Sequence, residues 1–239
     1  MLKYIISITV FLSIISSSFA QKKEQNSTPK DSTQYKTAYG IRLGVDLSKP
    51  TLSFVDKSYS GLEIVGDYRI SKSWYVAAEM GYEKETSFED FLTSSSKGSF
   101  MRVGVNYNAY KNWLDMTNEI FVGFRYGLAL FEHSLDSYTP NVTTGSTNTP
   151  IYFPSIPVTT PRAESGLMAH WTEFQLGIKV ETLKNLYVSG GFSYKIMLSV
   201  DDQSNFKTLY APGFNRVFET NTGFGFFYTL SYMIPIVNK

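Results

Sequence analysis

Two histidines and no cysteine bound the chemistry available to this chain of 239 residues. Glu132-His133-Ser134 contains the residue types of a lipid-modifying hydrolytic triad, in which a carboxylate orients the imidazole and the imidazole takes the serine proton. Consecutive residues of an extended strand point to opposite faces, so His133 turns away from both neighbours and that spacing builds no triad. His170, beside Trp171, stands at a predicted loop-to-strand junction and reads as an interfacial side chain. Without cysteine there is no disulfide, no thiolate nucleophile and no thiolate metal site. No metal-ligand spacing, phosphate loop or nucleotide fingerprint occurs either. The expectation is a chain with no catalytic residue, no cofactor and no metal.

A second set of reactive groups is larger and more regular. Arg42, Asp46, Glu63, Asp67, Arg69, Glu79, Glu83, Arg102, Glu119, Arg125, Glu173, Lys179 and Lys195 all fall on one parity of alternating segments, while the other parity is apolar or aromatic. They number seven acids and six bases. A period of two means a strand with one polar and one apolar face. Charges gathered on one face of a closed sheet must pair or be hydrated, because an unpaired buried charge costs several kcal/mol. Near-balance of sign predicts an interlocked ion-pair interior; a narrow ion path is the competing reading.

The elements that would carry these groups are eight strands: Tyr39–Leu47, Ser60–Ile70, Trp74–Glu83, Phe100–Ala109, Asn118–Phe131, Thr172–Val180, Leu186–Leu198 and Thr222–Ile236. The connections Ser71–Ser73, Lys111–Leu114 and Leu183–Asn185 are short, whereas Ser48–Tyr59, Glu85–Ser99, Glu132–Trp171 and Asp201–Arg216 are long. Short and long alternate, as they do in outer-membrane barrels with tight periplasmic turns and long external loops. Aromatic content is 16%, with 18 Phe and 17 Tyr, as interfacial girdles require. Tyr39, Tyr68, Trp74 and Tyr107 fall at one end of their strands, and Tyr82 lies eight residues above Trp74, roughly 20 Å up a tilted wall. The predicted fold is therefore an all-β, eight-stranded antiparallel up-and-down transmembrane β-barrel with a polar, charge-paired interior. Its apolar outer face would meet outer-membrane lipid.

Two N-terminal segments precede that domain. Met1–Ala20 has a basic start, an apolar centre and a small-x-small end, the pattern of a cleavable signal peptide. Gln21–Thr37 is polar and aperiodic and reads as a disordered periplasmic leader, which leaves residues 38–239 for the barrel. A formal net charge of +1 gives no reason to expect nucleic acid as a partner. In the long loops, Tyr152, Phe153, Tyr210 and Phe214 are the candidate surface contacts for another envelope protein, since aromatic side chains anchor interfaces.

Tyr39-Gly-Ile-Arg-Leu-Gly-Val-Asp46 and Phe100-Met-Arg-Val-Gly-Val-Asn-Tyr107, together with the signal peptide and the eight alternating segments, resemble an uncharacterised family of small outer-membrane β-barrels of Bacteroidota. The likeness runs from Tyr39 to the C-terminus and implies location and fold. It brings no catalytic residue with it. Outer-membrane barrels often end on an aromatic residue, whereas this sequence ends Pro235-Ile-Val-Asn-Lys239, so either Tyr232 serves in the assembly signal or the terminal residues extend past it. The function expected from the sequence is a structural or interaction module of the Gram-negative outer membrane, with a lipid-modifying enzyme or a narrow pore as alternatives.

Overall fold

A computed structural model describes residues 38–110, 117–139, 158–159, 161–204 and 206–238. The signal-peptide and leader segments, with Tyr152 and Phe153, lie outside the described residues. Alternating Gly, aromatic and β-branched residues build the strands β1 (Ala38–Asp46), β2 (Tyr59–Arg69), β3 (Trp74–Glu89), β4 (Leu92–Asn108), β5 (Glu119–Tyr138), β6 (Arg162–Leu183) and β7 (Leu186–Val200). A short pair, β8 (Tyr210–Ala211) and β9 (Asn215–Arg216), precedes β10 (Thr222–Asn238), and the helix α1 (Ser48–Val55) follows β1. β1 to β7 and β10 form an antiparallel sheet that closes when β1 pairs with β10, so each expected strand is present and the sheet ends on itself.

The two faces sort as the alternation predicts. Leu43, Ile64, Val76, Val122, Leu176 and Leu230 point outward, and Leu176 is 56% exposed. On the opposite parity Arg42, Glu63, Glu79, Arg102, Glu119, Arg125, Glu173 and Lys179 are buried. Charged groups thus fill the centre, and the apolar belt surrounds it.

Three features depart from the sequence reading. Glu85–Ser99 is no long loop: β3 and β4 continue as a hairpin paired from Glu85↔Ser96 to Glu89↔Leu92, with only Asp90 and Phe91 between the strands. Beyond the apolar belt neither strand face has to be apolar, so the period of two fades although the hydrogen-bond ladder persists. For the same reason β5 runs on to Tyr138 and β6 starts at Arg162, which removes both ends of the predicted Glu132–Trp171 connection. Third, Ser48–Tyr59 contains α1, whose first turn holds Pro50 and whose Ser48 N–H donates to Asp46 Oδ1 at 2.8 Å.

The interior is also less uniformly polar than expected. Phe100, Phe131, Leu167, Trp171, Met197 and Phe214 form an apolar cluster inside the ring. Trp171 is fully buried, and its indole lies against Gly127, where a Cβ would collide with the ring. Phe214 meets Trp171 edge-on, with ring centroids 6.1 Å apart. The segment Asp201–Arg216 therefore folds into the ring mouth, and Tyr210 and Phe214, expected as surface contacts, are 7% and 0% exposed. The physical cause is that aromatic side chains above a cavity gain more by filling it than by facing water. Phe214→Ala is predicted to cost about 3 kcal/mol of stability, the range for deleting a buried aromatic ring. A lowered urea midpoint together with new protease cutting between Asp201 and Arg216 would register it; an unchanged midpoint would place Phe214 outside the core.

Candidate functional site

The inward parity of the strands turns long charged side chains toward one another across a narrow space, and they meet in three clusters. Lowest, Arg42 on β1 donates through Nε to Asp67 at 2.6 Å and through Nη1 to Glu119 at 2.5 Å. Lys179 on β6 reaches the other oxygen of Asp67 at 2.5 Å. The Arg42 guanidinium lies over the Tyr75 ring at 4.5 Å and the Tyr187 ring at 5.2 Å, so its flat faces meet aromatic carbon while its edges meet carboxylates.

Arg102 on β4 holds the central cluster. Its Nη1 donates to both oxygens of Glu173 at 3.2 Å, and its Nη2 donates to Glu63. Nε lies 2.8 Å from Glu79 Oε2, an ion pair without hydrogen-bond alignment. Arg125 reaches the same Glu79 at 3.0 Å and also donates to the Val105 carbonyl at 3.0 Å. One guanidinium thus joins β2, β3 and β6 to β4. The cavity bordered by Arg42, Glu79, Arg125 and Lys179 measures about 40 Å³, room for roughly three waters.

Uppermost is Glu83. Its carboxylate is fully buried and accepts from Lys49 Nζ at 2.6 Å, Tyr59 Oη at 2.9 Å, Tyr210 Oη at 2.7 Å and the Gly213 N–H at 2.8 Å. Gly213 has φ +79°, and a Cβ there would press on Phe100, so the turn that delivers this N–H calls for glycine. Burial pushes the Lys49 ammonium down, but the Glu83 and Glu63 carboxylates outweigh it and hold Lys49 above the ordinary lysine range. Burial, followed by the Glu83 charge, lifts the Tyr210 hydroxyl well above the ordinary tyrosine range, so it remains a donor.

Ten of the thirteen expected interior charges join these ion pairs: Arg42, Glu63, Asp67, Glu79, Glu83, Arg102, Glu119, Arg125, Glu173 and Lys179. The other three take different partners. Asp46 accepts the Ser48 N–H and starts α1. Arg69 turns to the ring's lower edge, where it donates to the Ser71 carbonyl at 3.1 Å and the Lys72 carbonyl at 2.5 Å. Lys195 donates to the Gly213 carbonyl at 2.7 Å and so ties down the inserted segment. Lys49, Tyr59, Tyr210 and Gly213 were missed around Glu83, because three of them lie off the long strands and Tyr59 only begins one. Asp46 ahead of Ser48, with Pro50 two residues further on, is the helix-start signal that leads to Lys49.

Glu132, His133 and Ser134 do not converge. Glu132 pairs with Lys97 at 3.0 Å, Ser134 donates to Asp136 at 2.8 Å, and the buried His133 ring stacks on Phe206 with 4° between planes. His170 Nδ1 lies 2.8 Å from the Tyr126 hydroxyl on the outer surface. Among the described residues no three His, Asp or Glu side chains are grouped to hold a metal ion.

Removing Arg102 would leave Glu63, Glu79 and Glu173 without their shared cation. Arg102→Met is predicted to lower stability by about 3–5 kcal/mol, the cost of breaking a buried pair. Arg216→Met, which breaks the half-exposed Arg216–Glu89 pair, should cost at most about 1 kcal/mol. Urea denaturation of the two variants should separate them by that margin; equal midpoints would remove Arg102 from its central role.

A family model described as a domain of unknown function, DUF6048, matches residues 1–239. No curated protein matches the chain.

Proposed function

We propose, for a chain that belongs to the DUF6048 family, the role of a small outer-membrane β-barrel that serves as a structural or interaction module of the cell envelope. The observation that carries this reading is the inversion of the faces. Every long strand turns aliphatic and aromatic side chains outward, while charged groups are buried inside. A water-soluble sheet of this size would hide the apolar face and wet the charged one. Hydrocarbon outside reverses that preference, and a closed sheet leaves few backbone groups to satisfy there.

Aromatic positions mark the ends of the proposed span. Tyr68, Trp74, Tyr107 and Tyr232 stand toward the short-turn end and Tyr82 and Tyr126 toward the other, all of them exposed. Beyond Tyr82 the outward positions become Lys84 and Lys97, fit for water or headgroups. On this reading the short turns face the periplasm, the β3–β4 hairpin rises outside the cell, and the preceding leader is periplasmic. The family resemblance to barrels of Bacteroidota supports the same placement.

The interior argues for a plugged ring. Three ion-pair clusters and the inserted Asp201–Arg216 segment occupy the space an ion would need, and the cavity among them holds only a few waters. Contact with another envelope protein then falls to the outer end, where Phe88 and Phe91 at the hairpin tip are 72% and 71% exposed. They take the place assigned from sequence to Tyr210 and Phe214, which are turned inward.

Two measurements test the reading. Val122→Arg places a charge on the outer belt and should reduce assembly in membranes by about 2–4 kcal/mol, seen as loss of the heat-modifiable folded form. Normal insertion of that variant would refute the membrane placement. In planar bilayers the native chain should give no steady current at low voltage; a stable open conductance would replace the plugged module with a pore.

A further inference from the structure

The closed sheet is not complete along its whole height. β1 stops early: its ladder with β2 ends at Val45↔Ile64 and its ladder with β10 at Asp46↔Thr229. Both neighbours continue. β2 runs on through Tyr59–Glu63 paired only with β3, and β10 through Thr222–Tyr228 paired only with β7. The wall therefore lacks one strand over five to seven residues, a notch roughly 16–23 Å tall at about 3.3 Å per residue and about 10 Å wide, twice the strand spacing.

α1 fills only part of the notch. It is fastened to β2, where Gly61 N–H donates to Ser53 Oγ at 3.2 Å, and at its base, where Leu47 N–H donates to the Tyr228 carbonyl at 2.8 Å. Between α1 and the upper half of β10 a cavity of about 280 Å³ remains. Thr222–Phe227 pair with β7 on one edge, and on the edge that faces the notch no strand among the described residues pairs with them; an edge strand offers unpaired N–H and C=O groups. In a bilayer such an edge must be covered or must line a polar cavity.

The lining of this cavity is amphipathic. Leu52, Phe224 and Phe226 form its outer lip and are 41%, 79% and 67% exposed. Further in, the two cations are already engaged, Lys49 by Glu83 at 2.6 Å and Arg216 by Glu89 at 2.5 Å. Asp56 and Glu85 also line the cavity, and among the described residues neither forms an ion pair. Arg216 is half-exposed and donates through Nη2 to Glu89, which leaves Nε and Nη1 for an anion. The site thus asks for a cationic group, an adjacent anionic group and an apolar tail.

We propose that the notch is a lateral binding site for one zwitterionic phospholipid with a primary ammonium head. The ammonium lies toward Asp56 and Glu85, the phosphate toward Arg216, and the acyl chains against Leu52, Phe224 and Phe226. The inference rests on the membrane reading above, since only a chain seated in a bilayer would meet such a molecule from the side. A free phosphate would satisfy Arg216 alone, and a purely anionic lipid would face two unpaired carboxylates.

The test uses the full chain reconstituted into vesicles of phosphatidylethanolamine and phosphatidylglycerol in equal amounts, extracted into mild detergent and weighed by native mass spectrometry. One phosphatidylethanolamine per chain should be retained, favoured about tenfold over phosphatidylglycerol. Asp56→Asn combined with Glu85→Gln should reduce that preference to about twofold or less, with total lipid retained. Phe224→Ser combined with Phe226→Ser should lower retention of both lipids about tenfold. Heat-modifiability of each variant reports that the ring has folded. Equal retention of the two lipids by the native chain, or a preference unmoved by the carboxylate variant, would overturn the headgroup assignment. A chain that inserts and folds yet retains no lipid would overturn the site while leaving the membrane reading intact. A chain that does not enter vesicles would overturn both.

Discussion

Arg102 is the interaction on which the remainder of the interior depends. Its guanidinium is buried, and burying a cation is favourable only if carboxylates meet it on most of its edges. Glu63, Glu79 and Glu173 do so from three different strands. Because those strands reach Arg102 from opposite walls, the pairings fix the ring's cross-section as well as its charge balance. Arg42 and Arg125 repeat the arrangement to either side, each sharing a carboxylate with another cation. Alternative ring sizes would pull these groups apart and leave charges unpaired in a low-dielectric space.

Glu83 extends the same logic to parts of the chain that are not wall strands. A carboxylate at this depth needs several donors, and the wall supplies only Tyr59. The helix α1 brings Lys49, and the Asp201–Arg216 segment brings Tyr210 and the Gly213 N–H. One acidic residue on β3 therefore recruits the helix and the inserted segment alike. Once the segment is in place, Phe214 gains apolar burial against Trp171 and Phe100, and Lys195 seals it through the Gly213 carbonyl. Polar attachment and apolar filling act on the same few residues.

The sequence disclosed the wall because period-two alternation in β1 to β7 and β10 records which face is apolar, and one face of each strand needs to be. It disclosed most of the interior charges for the same reason. It disclosed much less above the belt. Ser94, Ser95, Ser96 and Lys97 are strand residues whose pattern carries no periodic signal, since both faces there are free to be polar. The inward turn of Tyr210 and Phe214 was also hidden: exposed aromatic anchors and buried aromatic fillers have the same composition, and only the cavity above Trp171 distinguishes them. Arg69 sits on the correct parity yet leaves the network, because its place near the turn offers backbone carbonyls closer than any carboxylate.

The seam of the ring lies between β1 and β10, where Ala38 meets Asn238. Partners so distant along the chain cannot find each other by local zipping, and the closure entropy must be met before that ladder returns anything. Folding order follows from this. The hairpins between neighbouring strands, among them β3–β4 and β6–β7, join segments close in sequence and can form early, leaving an open sheet with two unsatisfied margins. Such a sheet is prone to pairing with another copy of itself until the seam shuts. The short length of β1 makes that last step small, and it also explains why the final structure keeps part of its seam ajar.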